Sequence, residues 1–181
     1  MSRKEIPFGK AFTIVSHTFL IQGREGRVLA VDDLKTLPGL SPTEVKKGTL
    51  VIEFSGIRLR VLNPIACLKA KLHNVGAIDQ RDRQDAKHVR VLIPCVRAFL
   101  RRLVVEAQTG GNCRPALNAL QQLLLWTSRP VSIKVALAHG FALLQTVPLG
   151  DLKRSRHPKL LSFVARRLPG WQQSLGTRGI S

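Results

Sequence analysis

The side chains best suited to chemistry lie close together in the chain. They fall in the run Leu68-Lys69-Ala70-Lys71-Leu72-His73 and, after a polar link, in Gln80-Arg81-Asp82-Arg83-Gln84-Asp85-Ala86-Lys87-His88. Lysine and arginine hold phosphate oxygens, the first as a point charge and the second as a fork of donors. A carboxylate beside such a cation orients it and favours its charged form. If each run is helical and the link is short, the two helices pack antiparallel and Lys71 comes near Asp85. Asp85 and His88, three positions apart, share a helix face. The chemistry this permits is contact with a phosphate-bearing ligand by Lys71, oriented by Asp85.

Two helices and the strands before them must present these groups. Asn63 is a cap and Pro64 opens a helix on which Ile65, Leu68, Leu72 and Val75 share one face, with Lys69, Lys71 and His73 off it and Gly76 as its end. A second, longer helix has Asp82 and Asp85 at its start, where the helix dipole favours negative charge. Val89, Leu92, Val96, Phe99 and Leu103 line up along it, and Pro94 predicts a kink. Upstream the period is two. Residues 13–15, 19–22 and 28–31 read as strands, with Gly23-Arg24-Glu25-Gly26 as a turn. Ser41, Pro42 and Glu44 predict a short helix over 43–47 that Gly48 stops. Thr49–Phe54 and Ile57–Leu62 flank Ser55-Gly56 as a hairpin, one face apolar and expected in the core, the other charged.

Thr109-Gly110-Gly111-Asn112 is the clearest break. Beyond it 115–127, 131–145 and 158–168 read as helices, Gly140 weakens the second, and 171–181 read as a frayed end. The fold class is α+β, a small antiparallel or mixed sheet followed by a mainly helical C-terminal region. The expected division is 1–108 and 109–181.

The stretch from residue 49 to 105 resembles the distal part of the nucleotidyltransferase fold in its abortive-infection toxin branch, the AbiEii/AbiGii type. In that family a strand ending in proline leads to a helix with Leu-x-x-Lys-Leu, then an arginine-rich link, then Arg-Asp-x-x-Asp on the next helix. Leu68-Lys69-Ala70-Lys71-Leu72 matches the first piece. Arg83-Gln84-Asp85-Ala86-Lys87-His88 matches the second, with Gln84 inserted before the aspartate and His88 where the family more often has aspartate. The resemblance implies that 1–108 is the remnant of a nucleotidyltransferase-like domain. It implies Lys71 and Asp85 as the catalytic pair, and Arg81, Arg83, Lys87 and His88 as the groups that bind the nucleotide. In an active member it implies magnesium and a nucleoside triphosphate as cofactors. The partners it implies are a nucleotide or RNA and a cognate antitoxin or other protein.

The departures from that family concern catalysis. Moving a nucleotide to a hydroxyl needs two metal ions on paired carboxylates, which the family presents as Gly-Ser or Gly-Gly and then Asp-x-Asp about a dozen residues on. The nearest match is Gly23-Arg24 followed by Asp32-Asp33. Arginine replaces the small residue that lets backbone approach phosphate, and adjacent aspartates on a strand face opposite ways. Glu53 reads either as the fold's third carboxylate or as a solvated partner of Arg58 or Arg60. Two accounts of the absence stand: the chain is the C-terminal portion of a longer product, or a degenerate relative that keeps a binding surface. The expected function is a nucleotidyltransferase-like protein that binds nucleotide or RNA, incomplete or catalytically degenerate as this chain. The alternative is a non-enzymatic nucleic-acid-binding or toxin–antitoxin-type interaction protein.

Composition bounds these readings. The 181 residues carry 29 Lys plus Arg against 11 Asp plus Glu, a formal net charge of +18, and Asp151 is the one acidic residue after Glu106. Such an excess concentrates polyanions. Lys153-Arg154-Ser155-Arg156-His157, followed by Lys159, Arg166 and Arg167, forms a basic cluster that would add non-specific phosphate contacts. With 44% hydrophobic and 22% charged residues the chain is too apolar to be disordered. Cys67, Cys95 and Cys113 have no paired spacing, and Cys67 and Cys95 read as core. No two histidines have metal-binding spacing, so no metal ligands are assigned. No apolar run is long enough for a membrane span and no signal-peptide block follows the N-terminus, which places the expected location in the cytoplasm.

Overall fold

The computed structural model describes residues 2–5, 15–22, 28–34, 36–81 and 83–176. Three antiparallel strands, β1 (Ser2–Glu5), β2 (Val15–Gln22) and β3 (Val28–Leu34), form one sheet in the order β1-β2-β3. β3 contains the expected 28–31 run, β2 is one strand where 13–15 and 19–22 are expected as two, and β1 is not among the expected strands. The residue 23–26 turn and positions 13 and 14 lie outside the described residues.

The next segment follows its capping signals closely. In α1 (Pro42–Lys47) the Ser41 hydroxyl accepts the Glu44 N–H and the Glu44 carboxylate accepts the Ser41 N–H, a complete capping box. β4 (Thr49–Phe54) and β5 (Ile57–Leu62) pair antiparallel, with Glu53 opposite Arg58 and Ile52 opposite Leu59. Ser55 and Gly56 both have positive φ, at 50° and 77°, as a two-residue turn matched to strand twist requires. The expectation of a buried face on this hairpin is overturned. Ile52, Ile57 and Leu59 are 41%, 61% and 42% exposed, because no second layer packs on the two strands among the described residues.

The core is helical. It lies among α2 (Pro64–Ala77), α3 (Asp85–Gly110), α4 (Arg114–Thr127), α5 (Pro130–Ala138), a 3-10 turn (Leu143–Thr146), α6 (Leu149–Lys153), α7 (Pro158–Arg166) and α8 (Leu168–Gly176). One apolar cluster runs from Ile65 to Trp171, so side chains on both sides of residue 108 share it. The α2 stripe of Ile65, Leu68, Leu72 and Val75 is buried as its spacing requires. On α3 the buried line is Val89, Ile93, Val96, Leu100, Val104 and Ala107, while Leu92, Phe99 and Leu103 are only partly covered. The true contact face is therefore turned from the one the sequence suggests, because packing on α2 and α4 covers the line that runs i, i+4, i+7, i+11 from Val89. α3 continues through Pro94 as one helix. No helix among the described residues is long and apolar enough to cross a membrane.

Four further expectations are corrected. The α2 helix does not stop at Gly76: a Cβ there would lie 2.6 Å from Val135 Cγ2, so the glycine serves the close approach of α2 to α5. The helix expected over 131–145 ends at Ala138. Gly140 takes φ 63°, and the N–H groups of Phe141 and Gly140 donate to the Ala136 and Leu137 carbonyls, the hydrogen-bond pattern of a left-handed helix stop. Arg90 closes that corner, with its guanidinium 5.2 Å over the Phe141 ring and a 3.1 Å bond to the His139 carbonyl. Finally, residues 171–176 are not frayed. Trp171 on α8 is buried, and its indole N–H donates to Thr127 Oγ1 at 3.0 Å. Cys95, expected in the core, is exposed; Cys67 is half-buried and Cys113 buried.

Trp171 thus fastens the last helix to α4. Trp171→Ala removes a large side chain and leaves the Thr127 hydroxyl short of a partner. It should lower the unfolding free energy by about 3–5 kcal/mol in urea denaturation. A loss below about 1 kcal/mol would mean that α8 is not part of the cooperative unit.

Candidate functional site

The site forms where α2 returns as α3. Asn63 caps α2 by accepting the Ala66 N–H at 2.9 Å, and Pro64 occupies the first turn. With Leu68 and Leu72 turned to the core, Lys71 sits at the border of the stripe with its side chain 35% exposed. The link to α3 is held by the Gln80 amide, which donates to the carbonyls of Asn74 at 3.0 Å and Ile78 at 2.8 Å. Arg83 N–H donates to the Gln80 carbonyl at 3.2 Å. The chain is thereby delivered to Asp85 at the first position of α3.

Asp85 is 2% exposed. Its Oδ1 accepts from Lys71 Nζ and its Oδ2 from Arg83 Nε, both at 2.7 Å. Burial pushes this carboxyl up, but the bonds and charges of Lys71 and Arg83 outweigh it and hold the group below the usual carboxylate range. The α3 N-terminus adds a favourable dipole. The pairing of Lys71 with Asp85 is therefore as the two-helix argument expects. The part taken by Arg83 was missed: it was assigned to the nucleotide, and nothing in its spacing from Asp85 announces a shared carboxylate.

The other proposed binding residues are not brought to this carboxylate. Arg81 turns onto Asp79, whose carboxylate accepts from its backbone N–H and its guanidinium, and the pair is well exposed. Lys87 and His88 are exposed on α3 and have no ion-pair partner among the described residues. Asp82 lies outside the described residues.

A second ion pair, Lys69 with Glu44, joins α2 to α1. Lys69 and then the Ser41 N–H lower the Glu44 carboxyl to about 2. The capping role of Glu44 is legible from its position after Ser41, whereas its reach to Lys69 is not.

The magnesium that the family resemblance implies does not fit these residues. Among the described residues no group of three or more His, Cys, Asp or Glu side chains could hold a metal ion. Both oxygens of Asp85 are taken by cations that a metal would have to displace. Glu53 is exposed on β4 opposite Arg58. Asp32 and Asp33 occupy consecutive positions of β3, paired with Thr18 and His17 of β2. Lys71, Asp85 and Arg83 can instead hold an oxyanion. Asp85 cancels one of the two positive charges. Lys71 keeps two ammonium donors and Arg83 its terminal guanidinium donors outside the bonds to Asp85. Compared with protein-family models, with curated proteins and with solved structures, the chain gives no match.

Asp85→Asn should cost about 1–3 kcal/mol in denaturant unfolding, moderated because both cations can regain water. The pH dependence follows from the sign of the shifts. Carboxyls lowered by folding contribute stability that is full above the ordinary carboxylate range, about pH 4, and lost as pH falls through their folded values. The urea midpoint should therefore drop in acid, with the Glu44 part of the loss reaching down to about 2. In Asp85→Asn that drop should be shallower. A variant whose acid profile parallels the parent's would contradict the assignment.

Proposed function

We propose that this chain is a nucleotide- or RNA-binding protein of nucleotidyltransferase-like character, incomplete or catalytically degenerate as it stands. The observation that carries the reading is the cation–carboxylate–cation arrangement at the α2–α3 junction. Two part-exposed cations, Lys71 and Arg83, are fixed by one buried carboxylate and retain unused donors. Prepositioned donors of this kind suit a phosphate, and the overall charge of +18 draws polyanions toward the surface. In this reading Lys71 and Arg83 touch phosphate, Asp85 positions them, and exposed Arg81, Lys87 and His88 add weaker contacts along the strand. The protein works in the cytoplasm, with a cognate antitoxin or other protein as a further partner.

A second reading has its own observation. Lys153, Arg154, Arg156, Lys159, Arg166 and Arg167 are all exposed on and around α6 and α7. This surface suits a non-enzymatic nucleic-acid-binding or toxin–antitoxin-type role, in which α2–α3 is only a structural joint.

Incubation with labelled nucleoside triphosphates, magnesium and tRNA separates the readings. The expected result is retention on tRNA that weakens steeply with salt, without transfer of label. Lys71→Ala, which leaves Arg83 on Asp85, should weaken retention by about tenfold. Unchanged retention in Lys71→Ala and in Arg83→Ala, with a loss on changing Lys159 and Arg166 to alanine, would give the function to the second surface.

A further inference from the structure

The two faces of the β4–β5 hairpin differ in kind. Strand alternation sends Ile52, Ile57 and Leu59 to one face, and all three are exposed. The opposite face carries Arg58 and Arg60 of β5, set across from Glu53 and Val51 of β4. Both arginines are exposed, and neither has an ion-pair partner among the described residues, Glu53 included. Lys46 of α1 lines a cavity of about 490 Å³ together with Thr49 and Arg60, which brings a third cation to this face.

The hydrogen-bond ladder decides which backbone groups are left over. Asn63 N–H donates to the Gly48 carbonyl at 2.6 Å, which makes these two a bonded pair and sets the alternation along the hairpin. Leu50 with Val61 and Ile52 with Leu59 are then the next bonded pairs, and the two-residue turn at Ser55-Gly56 closes the ladder. The N–H and C=O groups of Arg58 and Arg60 point the other way, out of the β5 edge, where no third strand pairs with them among the described residues. An open edge is a template for another strand, and the charges along it select which strand is accepted. A second copy of β5 is disfavoured, because it would set arginine beside arginine. The β4 edge turns an acid, Glu53, toward any newcomer. Charge complementarity therefore favours an acidic strand, and favours it on β5.

We propose that the outer edge of β5 takes up an extended segment of another protein as a third strand, one in which acidic side chains alternate with apolar ones. Its backbone bonds to the N–H and C=O groups of Arg58 and Arg60. Its carboxylates lie across from the two guanidinium groups, and its apolar side chains extend the exposed face of Ile57 and Leu59. The hairpin is distinct from Lys71, Asp85 and Arg83, so the proposal rests on no part of the nucleotide reading.

The test uses the full chain labelled with nitrogen-15 and a short synthetic peptide in which glutamate alternates with valine. The control peptide has lysine in place of glutamate. The expected result is saturable binding of the acidic peptide that moves the Arg58 and Arg60 amide signals and slows hydrogen exchange at those two N–H groups. The lysine peptide should not bind. Changing Arg58 and Arg60 together to glutamate, at two exposed positions, should weaken the acidic peptide by about tenfold and admit the lysine peptide instead. That gain of binding shows that the variant keeps its hairpin. No saturable shift at millimolar peptide, equal binding of both peptides by the parent chain, or shifts without slowed exchange at Arg58 and Arg60 overturns the proposal. So does a single-stranded RNA that occupies this edge more tightly than the acidic peptide, or a dimer of this chain joined through β5.

Discussion

A carboxylate taken out of water is costly unless charge and hydrogen bonds are restored to it, and Asp85 has both restored from two directions. Lys71 reaches it from α2 and Arg83 from the link, so one buried anion fixes the end of one helix, the start of the next and the turn between them. The α2–α3 packing that follows, with Leu68, Leu72 and Val75 against Val89 and Val96, is the first layer of the helical core. Because the two cations are themselves part-exposed, the arrangement pins the helices without sealing the charges away. That combination makes a structural joint usable as a phosphate contact.

The rest of the charge distribution follows from a shortage of acids. Glu44 is committed to Lys69, Asp79 to Arg81, Glu106 to Arg102, and Asp151 to Arg101 and Arg154. With 11 acidic side chains against 29 Lys and Arg, most cations have no acid to meet. Pairs such as Arg102–Glu106 are well exposed and contribute little to stability. The electrostatic design of this surface therefore concerns association more than folding.

What the sequence reveals is local and periodic. Asn63-Pro64 and Ser41-Pro42 with Glu44 mark their helix starts correctly, Ser55-Gly56 marks the hairpin, and the α2 stripe marks its own buried face. The meeting of Lys71 with Asp85 was legible because a short link between two amphipathic helices leaves few ways to pack them. The misplaced features are non-local. The α3 face was misread because Leu92 and Ile93 are equally apolar, and only the positions of α2 and α4 choose between them. The hairpin alternates as a buried strand would, yet alternation cannot say whether a covering layer exists. Trp171 sits in a polar, glycine-flanked tail, and its burial depends on Thr127, which is 44 residues away. Arg83 lies only two residues from Asp85, and its pairing was hidden because the course of the link, which spacing does not give, decides where the guanidinium turns.

The account stands or falls on Lys71 and Arg83 keeping donors free for phosphate while both remain on Asp85. The most direct measurement is the side-chain resonance of the Arg83 Nε–H as a nucleoside triphosphate is added to the intact protein. The account predicts that this signal and that of the Lys71 ammonium move in step with saturation, with the Nε–H still shielded from solvent exchange by Asp85. Saturable binding that shifts other basic residues and leaves both of these signals unmoved would contradict it.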